Sequence, residues 1–256
     1  MNMLSTHLIF YVLIVVLLAS LIANGILFYT AKKYYTRAKL SEVFPTHESH
    51  YQKANASLPP KNQKRVVLFG DSRIEMWKKW PELEGFEFIN RGIGGETTAL
   101  GRARFQPDVL ALEPDIVILQ TGMNDLSTLG VQPHLYEVIT QQCQDNLKFF
   151  VESLQARQIE VIFLTIIPPD QPEIARLLVW DHKIPESVKE INHYWLNLPA
   201  VERLHIIDTA KVLQDAQGQW HEGVNMDSVH LTPIGYQYLN QTLNVVFTNN
   251  YQKRSE

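Results

Sequence analysis

The chain has 256 residues, of which 45% are hydrophobic and 20% charged, the ordinary composition of a globular protein. A formal net charge of −4 excludes the strongly basic balance that is typical of nucleic-acid-binding proteins. The lone Cys143 excludes an intramolecular disulfide and any cluster of cysteine metal ligands.

The first predicted element is an apolar helix near the amino terminus. Residues 8–29 carry no charged side chain, and at about 1.5 Å per residue they can cross the roughly 30 Å of a bilayer's hydrocarbon core. A cleaved signal peptide is the alternative, but no Lys or Arg precedes Leu8 and the apolar run is long for a signal peptide. We therefore expect residues 1–31 to be a retained membrane anchor.

The flank that follows the anchor carries the first charges of the chain, which are the cations Lys32, Lys33, Arg37 and Lys39. The positive-inside rule places such a flank, and with it the rest of the chain, in the cytoplasm. A periplasmic or extracellular domain stays open as the alternative. The polar stretch 32–64 is expected to be a linker.

Residues 65–250 alternate between β-rich and helical segments. Short apolar runs predict five strands, at 66–69, 86–89, 116–120, 161–167 and 204–208. Strands that are apolar throughout are buried on both faces, as in a parallel sheet covered by helices. Helical spacing is clearest over 133–157, where Cys143 is expected to be a small buried residue. The pattern predicts one domain with a three-layer α/β/α sandwich.

Polar, glycine-containing turns follow the first three predicted strands. They begin at Gly70, Asn90 and Thr121 and read GDS, NRG and TGMND. In an open parallel sheet, ligands bind beyond the carboxyl ends of the strands. The sequence therefore predicts that the three turns meet at one edge of the sheet and form a site there.

Ser72 is the candidate nucleophile of this site. It lies on the turn from a buried strand into a predicted helix, where free N–H groups favour developing negative charge. An ordinary helix-capping serine fits the same position, and the G-x-S-x-G motif of nucleophile elbows is absent.

A serine nucleophile needs a base, and His230 in the stretch MDSVHLTP is the best candidate among nine histidines. Asp227, three residues earlier, can accept a hydrogen bond from one ring nitrogen while the other nitrogen faces the serine. A surface Asp–His pair beside the last helix is an equally good interpretation of this stretch alone.

Acyl transfer also needs fixed donors for an oxyanion. The candidates are the Ser72 backbone N–H, a backbone N–H in the glycine loop 92–95, and the Asn124 amide, which fits an ordinary turn residue as well. The glycine loop does not match a dinucleotide fingerprint, because Thr97 stands where the third glycine is needed.

Four sequence blocks resemble those of the SGNH (GDSL-type) serine hydrolases: FGDS at 69–72, NRGIGGET at 90–97, TGMND at 121–125 and DSVH at 227–230. The resemblance covers most of 65–248 and is closest to the acetylhydrolase and lysophospholipase-like branch. One departure is that the serine block reads FGDSR, without the leucine that names the GDSL type.

The resemblance implies a flavodoxin-like sheet of five parallel strands, with Ser72 as nucleophile and His230 as base oriented by Asp227. It implies Gly95 and Asn124 as oxyanion donors beside the Ser72 N–H. Gly95 is chosen because the family's donor directly precedes an acidic residue and a threonine, here Glu96-Thr97.

The function that the resemblance implies is hydrolysis of carboxylic esters, with a short acyl group preferred and no metal or organic cofactor required. The expected partners are a small-molecule, lipid or glycan ester and the membrane, with no nucleic acid. A metal-dependent phosphoesterase built from Asp71, Asp125, Asp227 and His230 and a non-catalytic, membrane-tethered binding module are the alternatives.

Three further expectations concern the surroundings of the site. Arg73 and Arg91 are expected to be solvated surface residues. The stretch 168–185 is expected to shape the pocket around Trp180. The helical spacing of Trp77 after Ser72 predicts that its indole packs in the core.

Overall fold

The computed structural model describes residues 3–43 and 50–252, and the chain divides into two compact units, Met1–Thr46 and His47–Glu256. In the first unit, helix α1 spans Met3–Val43. Its segment His7–Thr36 has a mean hydropathy of 2.6 and is long and apolar enough to cross a membrane. The helix therefore extends beyond the predicted anchor into the stretch that we predicted as a linker.

The second unit contains a five-stranded sheet. Its strands are β1 (Lys64–Gly70), β2 (Phe86–Gly92), β3 (Ile116–Gln120), β4 (Glu160–Leu164) and β5 (Leu204–Ile207). The α-helices of this unit are α2 (Gln52–Ala56), α3 (Ser72–Glu75), α4 (Thr98–Asp108), α5 (Met123–Ser127), α6 (Tyr136–Gln155), α7 (Lys183–Leu196), α8 (Thr209–Leu213) and α9 (Pro233–Phe247). A 3₁₀ helix, Ile174–Val179, lies between β4 and α7.

The strand order is β2-β1-β3-β4-β5, and every neighbouring pair is parallel. This is the doubly wound, flavodoxin-like order, so the predicted fold class is confirmed. The register aligns Gly70, the last residue of β1, with Gly92 on one side and Gln120 on the other. The carboxyl ends of the three adjacent strands β2, β1 and β3 are therefore level, and the turns that follow them leave the sheet at the same edge.

Alternate residues of each strand point into two separate cores. On one face, Phe69 and Phe163 pack with side chains of α4, α6 and α7, including the fully buried Cys143. On the other face, Leu68 packs with side chains of α3, α8 and α9 and with Trp77. Burial on both faces explains why the strands are apolar throughout, and it confirms the three-layer sandwich and the burial of Trp77.

The predicted linker 32–64 needs a correction at its carboxyl end, because residues 50–64 belong to the packed unit. The Tyr51 hydroxyl donates to the carbonyl oxygen of Gly92 at 2.5 Å. In α2, the Asn55 amide donates to Asp108 at 2.8 Å and accepts from Arg91 at 2.8 Å. These side chains fasten the segment to the domain.

The fourth strand is shorter than predicted, ending at Leu164 and not at residue 167. Beyond Leu164, the Asn192 side chain of α7 makes backbone hydrogen bonds of the kind that a neighbouring strand would make. Its amide oxygen accepts from the Ile166 N–H at 2.9 Å and its amide nitrogen donates to the Ile166 carbonyl at 2.7 Å. The backbone groups of this apolar residue are therefore satisfied outside the sheet.

Candidate active site

Ser72 is the first residue of α3 and lies two residues beyond the end of β1. The Asp71 side chain caps this short helix by accepting a hydrogen bond from the Arg73 N–H at 3.0 Å. The cap fixes the turn between strand and helix, as expected for an aspartate at this position. Burial raises the pKa of Asp71 against the opposing effect of Arg73. Ser72 itself is half-buried, so its hydroxyl can reach the solvent.

His230 lies within hydrogen-bond distance of both Ser72 and Asp227. Ser72 Oγ is 3.0 Å from His230 Nε2, and His230 Nδ1 is 2.7 Å from Asp227 Oδ2. With Nδ1 protonated, Nε2 carries the lone pair that can accept the serine proton. The fold thus brings together a serine and a histidine that are 158 residues apart in the sequence.

The Asp227 carboxylate is held in place by the backbone of its own turn. Its Oδ1 accepts hydrogen bonds from the N–H groups of Val229 and His230, each at 2.8 Å. Partial burial acts to raise the pKa of Asp227, but the hydrogen bonds from His230 and Val229 outweigh it and keep that pKa below its usual value. Asp227 is therefore charged at neutral pH and can orient the imidazole and stabilise its protonated form.

The two other predicted donors line the same cleft as Ser72 and His230. This cleft has a volume of about 370 Å³, and Gly95 and Asn124 form part of its wall. Gly95 adopts a φ of +75°, a left-handed conformation that favours glycine. Asn124 Nδ2 donates one hydrogen to the Glu96 carbonyl oxygen at 3.0 Å, which orients the amide. The fold thus brings all five predicted site residues together.

A buried ion pair holds the glycine loop. The Arg104 Nε donates to Glu96 Oε1 at 2.8 Å, and both side chains are fully buried. The same guanidinium donates to the Arg91 carbonyl oxygen at 2.9 Å and pairs with Asp108 at 3.2 Å. Because so many donors and acceptors are matched, the pair fixes the path of the loop that ends at Gly95.

Asp125, in α5 after β3, is hydrogen-bonded to Thr98 at the start of α4. Its Oδ2 accepts from the Thr98 N–H at 2.8 Å and its Oδ1 accepts from the Thr98 hydroxyl at 2.5 Å. Burial raises the pKa of Asp125 to about 6, and the hydrogen bonds from Thr98 oppose that rise. Asp125 therefore ties the short helix that carries its neighbour Asn124 to the start of α4.

The expectation that Arg73 and Arg91 are solvated surface residues is wrong. Arg73 is buried, and its Nε donates to the Val229 carbonyl oxygen at 2.7 Å, which ties α3 to the turn that carries His230. Arg91 is buried beneath the Tyr51 ring, with 4.7 Å between its guanidinium carbon and the ring centroid. Both partners are remote in sequence, so local sequence patterns did not reveal them.

Sequence reasoning also missed Glu173, Arg176 and Ser228. Ser228 donates its backbone N–H to Glu173 Oε1 and its hydroxyl to Glu173 Oε2, the latter at 3.1 Å. Arg176 lines the cleft, with its guanidinium 3.2 Å from Glu173 and 3.9 Å from Asp227. The stretch 168–185 does border the site as expected, but through Arg176, whereas Trp180 packs against the core.

Comparison with known proteins identifies the family of this chain. Residues 68–238, more than half of the chain, match the GDSL-like Lipase/Acylhydrolase family. The uncharacterized lipoprotein YqeF of Bacillus subtilis (strain 168) is 33% identical over an alignment of 120 residues, and the match covers 40% of this chain and 48% of that protein. The match thus spans about half the length of this relative.

Two crystal structures share the fold. A GDSL-like lipase from Bacteroides thetaiotaomicron VPI-5482 aligns with a TM-score of 0.64 at 22% identity, over 79% of this chain and 97% of the other. An acetylxylan esterase from Geobacillus stearothermophilus aligns with a TM-score of 0.50 at 20% identity, over 70% and 92%. The fold of these proteins agrees with the sequence match, and the chain belongs to the GDSL-like lipase/acylhydrolase family.

Proposed function

We propose that this protein is a serine esterase that hydrolyses carboxylic esters through an acyl-enzyme on Ser72. The observation that carries the proposal is the continuous chain of contacts from Ser72 through His230 to Asp227, with distances of 3.0 and 2.7 Å, at the wall of an open cleft. A nucleophile, a base and an orienting carboxylate in this arrangement are what acyl transfer needs.

In the first step, Ser72 Oγ attacks the ester carbonyl carbon while His230 Nε2 takes the hydroxyl proton. The carbonyl oxygen becomes an oxyanion, which the N–H groups of Ser72 and Gly95 and the free amide hydrogen of Asn124 stabilise. When the tetrahedral intermediate collapses, the C–O bond to the alcohol breaks and His230 gives the alcohol its proton. Water then attacks the acyl-enzyme with the same base, releasing the acid and restoring Ser72.

A short acyl group is the preferred substrate of this proposal. The support is the resemblance of the GIGGET block to the acetylhydrolase branch. The acetylxylan esterase shares the fold, but at 20% identity it carries no argument about the sugar or lipid that bears the ester.

We also propose that α1 is a retained single-pass anchor. The span His7–Thr36 fits a membrane crossing by length and composition, and the matched Bacillus subtilis relative is named a lipoprotein. The cations at 32–39 favour a cytoplasmic catalytic domain. Reporter fusions at the carboxyl terminus, one active only in the cytoplasm and one only outside it, decide the side.

The metal-dependent phosphoesterase is less well supported, because Asp125 and Asp71, two of its four ligand candidates, are engaged by other groups of the protein. Asp125 uses both carboxylate oxygens on Thr98, and Asp71 caps α3. Among the described residues, no group of three or more His, Cys, Asp and Glu side chains is arranged to hold a metal ion.

The test is hydrolysis of p-nitrophenyl acetate and longer-chain esters by residues 50–256, which form a compact unit with their own core. Ser72→Ala and His230→Ala are expected to lose nearly all activity, and a fluorophosphonate probe is expected to label wild type but not Ser72→Ala without added metal. Ser127→Ala is the matched control, since this serine lines the same cleft. Full activity in Ser72→Ala would show that the proposed mechanism is wrong.

A further inference from the structure

The 3₁₀ helix Ile174–Val179 exposes large apolar side chains beside the cleft. Ile174 is 87% exposed and Leu178 is 92% exposed, the highest values among the large hydrophobic side chains of the described residues. Leu177 and Val179 are 57% and 47% exposed. We call these four residues the apolar patch. Contiguous exposed apolar surface of this kind marks a place where a protein meets a partner or a lipid.

The patch stands on a segment that is fastened at both ends. On one side, Glu173 accepts two hydrogen bonds from Ser228. On the other side, Trp180 packs against the core and Gly130 packs against the Val179 carbonyl, leaving no room for a side chain at position 130. The apolar side chains are therefore held outward by their neighbours' contacts.

The patch forms part of the rim of the candidate active site. Arg176 belongs to the same helical turn, and it lines the cleft together with Ser72 and His230. Ile174, two residues before Arg176, and Leu177, directly after it, are exposed. An apolar medium in contact with the patch would therefore lie at the mouth of the cleft.

A lipid surface fits this patch better than a charged partner. The ionic groups of the segment are mixed in sign, since Arg176 is paired with Glu173, so the patch offers apolar area and no excess of cations. The same chain carries a helix that is long and apolar enough to cross a membrane, and residues 37–49 are all that separates that span from the described part of the second unit. Such a tether keeps the domain near a bilayer.

We propose that the apolar patch inserts into the acyl region of a lipid bilayer and there delivers lipid-borne esters to the cleft. Apolar side chains on a short surface helix insert in this way at the boundary between headgroups and acyl chains. The insertion rests on the patch and on the apolar helix near the amino terminus, whereas delivery of substrate rests on the proposed esterase function.

The insertion is tested in full-length protein in phosphatidylcholine nanodiscs. A single environment-sensitive label is placed by Leu178→Cys, with Val201→Cys as the matched control, since Val201 is also an exposed apolar residue but lies before β5, at the opposite edge of the sheet. The native Cys143 is fully buried and is not expected to react. The label at 178 is expected to shift to the blue and to be quenched by brominated acyl chains, and the label at 201 to show neither effect.

A blue shift without quenching at 178 would show that a protein surface, such as a second copy of the chain, covers the patch, and would overturn the proposal. Equal signals at 178 and 201 would overturn it as well. Neither outcome depends on catalysis, so the result is distinct from a failure of the proposed function.

The delivery of substrate is tested with Ile174→Ser/Leu178→Ser. This variant is expected to keep wild-type turnover of p-nitrophenyl acetate and to lose about tenfold or more of its activity on the acetyl ester of a long-chain alcohol embedded in the same nanodiscs, because two apolar side chains no longer enter the lipid. Equal losses on both substrates, or none on either, would contradict delivery by the patch.

Discussion

Glu173 and Ser228 are joined by two hydrogen bonds, in which the Ser228 N–H donates to Glu173 Oε1 and the Ser228 hydroxyl donates to Glu173 Oε2. Ser228 directly follows Asp227, so the pair fastens the turn that carries His230 to the segment after β4. Backbone N–H groups of Glu173 itself and of Ser228 hold the pKa of this carboxyl below its usual value. The carboxylate is therefore charged at neutral pH.

The first prediction concerns this contact. Glu173→Ala is expected to lower kcat for p-nitrophenyl acetate by about 10- to 100-fold, because small displacements of a catalytic group have effects of this size. The KM is expected to stay near wild type, since Glu173 does not line the cleft. Glu173→Gln keeps one acceptor oxygen, so its kcat is expected to lie between those of wild type and Glu173→Ala.

The matched control is Glu202→Ala, which removes an 89% exposed side chain next to the start of β5 and is expected to leave kcat unchanged. If Glu173→Ala turned over substrate as fast as this control, the contact would have no part in positioning His230.

The second prediction concerns Asn124. One hydrogen of its amide nitrogen is used on the Glu96 carbonyl oxygen, which leaves the other for an oxyanion in the cleft. Asn124→Ala is expected to lower kcat by about 10²-fold or more, the usual effect of losing one oxyanion donor. Steady-state kinetics of residues 50–256 measure this, with circular dichroism as the check that the fold is intact. An unchanged kcat would remove Asn124 from the oxyanion hole.

Which contacts of this site could be predicted from the sequence depends on how far apart the two contacting residues lie in the chain. The turns after β1, β2 and β3 were predicted to meet because the carboxyl ends of parallel strands lie at one edge of the sheet, where ligands bind. Asp227 and His230 are three residues apart, so their pairing was visible locally. That Ser72 is the residue facing His230 depended on the family resemblance.

The contacts that the sequence did not reveal all join distant segments. Arg73 meets Val229 over 156 residues, and Glu173 meets Ser228 over 55 residues. A charged side chain with such a remote partner looks like an ordinary surface residue in the sequence, because burial of a charge depends on tertiary contacts. The exposure of the four residues of the apolar patch was not predicted either, because apolar residues in a loop suggest packing against the core.

The third prediction concerns pH and Asp125. Burial raises the pKa of this carboxyl from 3.8 to about 6, so the folded state binds its proton more tightly than the unfolded state. Stability from this group is fully present below pH 3.8 and is lost as pH rises through about 6. At about 1.36 kcal/mol per pKa unit, the loss amounts to about 3 kcal/mol.

Asp125→Asn is the matched variant, because an amide has no proton to lose in this range. The free energy of unfolding of wild type, relative to that of Asp125→Asn, is expected to fall between pH 4 and pH 7. Urea denaturation of residues 50–256 at several pH values measures the difference. A constant difference across this range would show that Asp125 does not titrate there in the folded protein.

The last prediction separates two glycines of the loop that the sequence could not distinguish. A Cβ atom at Gly92 would lie 2.1 Å from the backbone nitrogen of Glu75, in the short helix that begins with Ser72. A Cβ atom at Gly94 would approach within 3 Å only the end of the Glu75 side chain, which can rotate away. Gly92→Ala is therefore expected to lower the free energy of unfolding by about 1–3 kcal/mol or more.

Gly94→Ala, the matched control, is expected to stay within about 0.5 kcal/mol of wild type. Because the strain at position 92 falls on α3, the change there is also expected to slow labelling of Ser72 by a fluorophosphonate probe. Equal stability of the two variants would mean that α3 can shift away from the end of β2. Ser72 would then not depend on this contact for its position opposite His230.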